Sequence, residues 1–251
     1  MDSNRCLLCN DVILDHDTPR LLKCVFCGEE KPASHSCPQK HFVCKTCLSA
    51  SAKKIIKTVC ESTDSSNPFH LLELITTHPS IHNHGPEYHS MVPAILLTAY
   101  YNAIQRKEEL SIQLNEAFKR SEEIPVGSCG FNGLCGTAIG AGIFMSLILH
   151  TTPLSIKGWK HRNQLIAGAL NLIATEGDPR CCKRNAYLVI THTIDVMRKD
   201  FNIPMDKSEN ISCVHIEPNQ ECIKSRCRYY QSFTPQNTPN RISARERNQE
   251  S

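Results

Sequence analysis

Beyond residue 68 the apolar positions recur at helical spacing. Phe69, Leu71, Leu72, Leu74 and Ile75 follow Asn67-Pro68, a helix-start signal, and Pro79 lies just past them. This predicts a short helix. From Pro86 a longer helix is predicted through Ser121. Its apolar positions Ile95, Leu96, Ala99, Ala103 and Ile104 give way to a charged stretch that reads as a solvated helix end. Gly136 to Leu149 is apolar on every side and reads as a buried helix. Lys160 to Thr175 reads as another, closed by Glu176-Gly177-Asp178-Pro179, and a last one runs from Arg180 to near Asn202-Ile203-Pro204. No stretch alternates with period two, so a large sheet is not expected. The predicted class is mainly α.

The first 60 residues lack this periodicity, and the polar stretch 61–68 marks a boundary. Residues 1–60 are therefore taken as a small module and 67–232 as a helical domain. Residues 234–251, rich in Pro, Asn, Arg, Gln and Ser, are expected to form a disordered tail.

Composition narrows the function classes. Of 251 residues 40% are hydrophobic and 21% charged, which suits a globular protein. A formal net charge of +3 is too small to draw nucleic acid, and Lys53, Lys54 and Lys57 make only a slender basic stripe. The most apolar run, Ala138 to Leu149, is too short for a membrane span. The start MDSNRCLLCN has neither the basic opening nor the apolar core of a signal peptide, so a cytoplasmic location is expected.

Fifteen cysteines and twelve histidines change the picture. Eight cysteines lie in the first 60 residues, none in the next 68, and seven between Cys129 and Cys227. The first group contains four ligand-like pairs: Cys6-x2-Cys9, Cys24-x2-Cys27, Cys37-x3-His41 and Cys44-x2-Cys47. A tight knuckle turns both of its ligands toward one tetrahedral ion, so eight ligands imply two zinc ions. With so little apolar material around them, metal binding would supply the folding energy. Two pairings remain open. Sequential pairing joins Cys6, Cys9, Cys24 and Cys27, then Cys37, His41, Cys44 and Cys47. Interleaved pairing joins Cys6, Cys9, Cys37 and His41, then Cys24, Cys27, Cys44 and Cys47. The module would accordingly be a zinc ribbon or treble clef, or RING-like. His35 is an alternative ligand, and Cys60 reads as a small buried hydrophobe.

The second group carries different chemistry. His78, His82, His84 and His89 cluster in a loop beside Pro79, Gly85 and Pro86, where imidazoles can bind metal or move protons. Cys129 and Cys135 lie in a glycine-rich stretch, Gly127 to Gly142. Close helix packing also accounts for Gly136, Gly140 and Gly142. Cys181 and Cys182 sit at an expected helix start among Arg180, Lys183 and Arg184, where amides and cations favour thiolate. Cys213, Cys222 and Cys227 follow. Seven sulfurs exceed what one structural zinc needs, and a 4Fe–4S cluster or a further metal would use several of them.

Two resemblances follow from these motifs. His41-Phe-Val-Cys44-Lys-Thr-Cys47, in the interleaved arrangement, is similar to a RING-type cross-brace. The knuckles followed by H-x3-H, MVPA-x-LL-x-AY, G-x-CG-x2-G-x-CG-x3-GAGIF and PRCCKR resemble an uncharacterised domain-of-unknown-function family found chiefly in anaerobes. Its members are sometimes joined to methyltransferase-like domains, which implies a protein of that kind as a partner. The residues themselves suggest a site built on Cys129, Cys135, Cys181 and Cys182, with Arg180 holding an anion and His82, His84 or His89 moving protons. Cys213, Cys222 and Cys227 would hold the cofactor. Redox or sulfur-transfer chemistry is one reading. A non-catalytic zinc-finger adaptor is the other.

Overall fold

The computed structural model describes residues 4–176, 181–208, 211–213 and 219–230. The chain opens in a hairpin of β1 (Leu14–Lys23) and β2 (Glu30–Ser36), antiparallel, with Lys23 opposite Glu30 and the register shifting between Asp15 and Arg20. Its turn is the Cys24–Cys27 knuckle, closed by Gly28 at φ +72°. A side chain resists that left-handed backbone, which explains glycine there. A backbone bond from Val25 N–H to Phe42 C=O (2.9 Å) ties this knuckle to the segment entering α1 (Lys45–Leu48).

Sequence reading assigns residues up to 60 to the metal-binding module. In the structure Ala52–Ser62 forms α2, capped by Ser51, and its face of Ile55, Ile56, Val59 and Cys60 is buried against the helical body. The next helix, α3 (Pro68–Thr76), starts where Asn67-Pro68 predicts. Asn67 Oδ1 accepts from the amides of Phe69 (3.0 Å) and His70 (3.4 Å), replacing bonds the first turn lacks.

The predicted helix from Pro86 to Ser121 is two helices. The first, α4 (Glu87–Ala103), ends at Gln105, which takes φ +57°. Arg106 N–H then reaches back to Tyr101 C=O at 2.9 Å, a Schellman-type stop. After a 3₁₀ turn at Lys107–Glu109 the chain reverses into α5 (Leu110–Glu122). Reversal lets Leu110, Leu114, Ala117 and Phe118 reach the core, while the charges of this stretch stay outside.

A short helix α6 (Ser128–Phe131) leads into α7 (Gly136–Ile148), and α8 (Trp159–Glu176) and α9 (Cys182–Phe201) complete the body. α4 lies at its centre, packed against α2, α3, α5, α7 and α9, with α8 covering α7 and α9. Close packing explains the glycines of α7. A methyl at Gly140 would lie 2.8 Å from Pro93 and 3.2 Å from the His89 carbonyl of α4. One at Gly142 would strike Ile166 of α8, and one at Gly136 the His89 ring.

Pro93, inside α4, has no N–H for the His89 carbonyl four residues back. The Ser121 hydroxyl stands in for it, 3.1 Å from that oxygen and 2.7 Å from the Ala117 carbonyl. The expected tail at 234–251 lies outside the described residues. Among the described residues no helix is long and apolar enough to cross a membrane.

Candidate metal centre

The four knuckles close into two sets by interleaving. Cys6, Cys9, Cys37 and His41 form one; Cys24, Cys27, Cys44 and Cys47 form the other, and within each set the ligand atoms all lie within 4.8 Å of one another. Cys9 Sγ is 3.6 Å from Cys37 Sγ, and Cys6 Sγ is 3.7 Å from His41 Nδ1. Tetrahedral coordination at Zn–S distances near 2.3 Å places ligand atoms about 3.8 Å apart, so both sets fit one ion each. The knuckle backbones support this. Amides of Leu8, His41, Cys44 and Cys47 point at Cys6, Cys37, Cys24 and Cys44 sulfur, at 3.4–3.5 Å. His41 Nε2 is buried and has no protein partner.

The thiols are electrostatically matched to a cation. Burial opposes ionisation of Cys6, but His41 and the amides of Cys9 and Leu8 outweigh it and hold its pKa down to about 6. Burial raises Cys9 and Cys37 in the same set. The second set repeats the pattern: backbone amides overcome burial to lower Cys24, while burial raises Cys27 and Cys47. Cys6 and Cys24 are therefore the more easily ionised, and Cys9, Cys37, Cys27 and Cys47 need a cation beside them to follow. His35 is exposed on β2 with its ring edge toward Phe42, apart from both sets. Cys60 is fully buried, and burial pushes its thiol up to about 12.

The second metal set is joined to the helical body by a histidine. His78, 2% exposed, places Nε2 2.9 Å from the Cys47 carbonyl and Nδ1 2.7 Å from Ser80 Oγ, with its ring edge-on to Phe26 at 5.3 Å. Ser62 at the end of α2 adds a bond to the Phe26 carbonyl at 2.9 Å. Two lysines of the stripe are tied to the body: Lys53 pairs with Glu122 and Lys57 with Asn115, both on α5.

Six of the seven C-terminal sulfurs divide between two cavities. Cys129 and Cys135 line a cleft of about 610 Å³ with Gly127, Gly130, Phe131, Gly133, Leu170, Ile173, Ala174, Arg184 and Asn185. Cys181, Cys213, Cys222 and Cys227 line a small cavity of about 30 Å³ with Tyr187, Tyr229 and Tyr230. Arg184 belongs to both walls. Among the described residues only the two N-terminal sets bring their ligand atoms within 4.8 Å, so the quartet is spread more widely than ligands of a single ion.

Local structure explains the quartet. Cys181 caps α9, its sulfur accepting the Arg184 amide at 3.4 Å. The incoming segment is pinned by Cys213 N–H to the Tyr229 carbonyl (2.8 Å) and by Tyr229 packed at a tilt on Tyr187, at 5.0 Å between ring centres. Lys183 and Arg184 are buried in the first turn of α9, and burial pushes the Lys183 pKa down to about 7 against the raising effect of Cys213 and Cys181. The Tyr187 hydroxyl is buried without a protein partner.

The other site residues expected from sequence lie apart. Cys182, half-buried, packs against the core and lines neither cavity. His82 is on the surface, 2.5 Å from Glu87. His84 reaches Asn219 and Glu221, each at 3.0 Å, and so joins the histidine loop to the quartet segment. His89 is half-buried with its ring against Gly136, and burial lowers its pKa. Arg180 lies outside the described residues. Asn185 and Tyr187, which line the two cavities, carry no motif signal and are recognised only once α9 is placed beside both.

The fold and site thus define a mainly helical protein with a cross-braced double metal module. Residues 56–230 match a family of unknown function, DUF5714, and the chain belongs to that family. The match covers the helical body and the quartet and begins after the last N-terminal ligand, Cys47. No curated protein and no solved structure matches the chain.

Proposed function

We propose that the chain is a metal-dependent protein: two zinc ions brace its N-terminal module, and the quartet Cys181, Cys213, Cys222 and Cys227 holds a 4Fe–4S cluster. Redox or sulfur-transfer chemistry would take place beside it, at the cleft of Cys129 and Cys135. The observation that carries this reading is the convergence of four thiols on one cavity from stretches up to 46 positions apart, between Cys181 and Cys227. A cluster spaces its thiolates more widely than one ion does, because each sulfur binds a different iron. The buried Tyr187 hydroxyl supplies a donor for sulfur at the same wall. Arg184, on the same wall, contributes positive charge that favours an anionic cluster. When bound, the cluster would supply one-electron chemistry.

Anaerobic purification tests this. Iron and sulfide should accompany two zinc ions, with a broad visible absorption, and Cys222→Ser should lose the iron while keeping the zinc. Zinc alone, with no visible absorption, would sink the cluster. That outcome supports a second reading, an adaptor that binds a protein through the module, for which Val12, Leu14, Leu21 and Leu48 are exposed aliphatic contacts.

A further inference from the structure

The cleft of Cys135 has properties that do not depend on what the quartet holds. Its volume, about 610 Å³, is that of a small-molecule site. One side is apolar, formed by Phe131, Leu170, Ile173 and Ala174. Gly130 and Gly133 border it with open space, since a methyl on either would meet nothing within 4 Å. The polar end is Cys135, Asn185 and Arg184.

Asn185 is the informative residue. It is only 6% exposed, and its Nδ2 donates to Cys135 Sγ at 3.4 Å. That fixes the amide, and its Oδ1 is buried with no partner in the protein. A buried amide oxygen without a donor is costly, and native structures retain one where something else supplies the donor. The Cys135 sulfur is set up as an acceptor. It stands at the N-terminus of the 13-residue α7, 3.1 Å from Thr137 Oγ1 as well as under the Asn185 amide.

We propose that this cleft binds a small organic molecule with an apolar body and an N–H or O–H head, the head donating to Asn185 Oδ1 beside the Cys135 sulfur. The apolar body packs on Phe131, Leu170, Ile173 and Ala174. Asn185 therefore has two roles: it reads the ligand through its oxygen and orients the sulfur through its nitrogen.

The test uses the full metal-loaded chain, with benzamide as the ligand probe and iodoacetamide as the thiol reagent, followed by peptide mass mapping. Benzamide should slow alkylation of Cys135 and leave Cys182, outside the cleft, unchanged. Asn185→Leu, which removes the acceptor, should raise the benzamide concentration needed for protection about tenfold. Asn185→Asp keeps an acceptor and loses the donor to sulfur. It should retain protection, while Cys135 itself alkylates more slowly than in the parent. Unchanged alkylation of Cys135 by the parent at saturating benzamide would overturn the proposal, as would equal protection of the parent and the leucine variant. Should the leucine variant fail to fold, as judged by its zinc content and helical signal, loss of protection in the aspartate variant overturns it equally.

Discussion

The two ends of this chain use sulfur in opposite ways. In the N-terminal module the ligands come as four local pairs, each prearranged by its own turn, and half of the buried residues are the ligands themselves. In the helical body the quartet is gathered from α9 and a distant segment, around a core already complete with Tyr88, Phe69, Tyr187 and Phe144. On the reading proposed above, metal would thus be a cause of the fold in the first region and a guest in the second. The difference shows how far a local motif can carry a structure. Pairs are written in a few residues, whereas a quartet exists only after helices have packed.

The largest expected effect follows directly. Stripping metal with a strong chelator should unfold residues 4–48 and leave α3 to α9 helical, because structural zinc supplies about 10–16 kcal/mol in small modules. Amide exchange would show protection lost in β1 and β2, with the far-ultraviolet helical signal kept. Protection persisting in the metal-free hairpin would mean that its few apolar residues suffice as a core.

Next in size is the loss of one ion, which tests the interleaving. With cobalt substituted for zinc, Cys6→Ser should abolish the spectrum of the three-sulfur, one-nitrogen set and spare that of the four-sulfur set. Sequential pairing demands the reverse, since Cys6 would then share an all-sulfur set with Cys24 and Cys27. The two spectra differ in energy, so the outcome is read from a single titration.

What could be read beforehand divides along the same line. Asn67-Pro68 announces α3 because its cap is local, and the eight ligands announce two ions for the same reason. Their pairing depends on the β1–β2 hairpin swinging the third pair back to the first, which no spacing encodes. The break after α4 was hidden because Gln105 adopts a left-handed backbone without the glycine that usually signals one. Cys129 and Cys135 look like companions of Cys181 and Cys182 in sequence, yet the packing of α7 and α9 puts Cys181 in a separate cavity, with Arg184 between, and Cys182 in neither. Tertiary packing, not composition, decides that division.

The glycines of α7 sharpen the contrast between packing and site. Gly140→Ala would press a methyl on the Pro93 ring and on the His89 carbonyl, and backbone cannot yield as a flexible side chain can. A loss toward the upper end of about 1–3 kcal/mol in denaturant unfolding is expected. Gly130→Ala, with open space at its Cβ, should cost far less. Similar losses for the two would show that α4 and α7 can move apart.

The smallest effect asks whether the two regions are independent. His78→Phe keeps an aromatic ring against Phe26 and removes the bond to the Cys47 carbonyl. Losing that bond should cost about 0.5–1.5 kcal/mol, because the carbonyl keeps the Ala50 N–H at 3.0 Å. The Ser62 bond to the Phe26 carbonyl remains as a second tether, so the module should stay docked. Cys47 belongs to the all-sulfur set, and its backbone is what His78 holds. The ion of that set should therefore exchange faster in the variant, while the Cys6 set, which His78 does not touch, keeps its parent rate. Equal acceleration at both sets would mean that the module loosens as one body, and the histidine would then be a general clamp and not a specific support of one metal site.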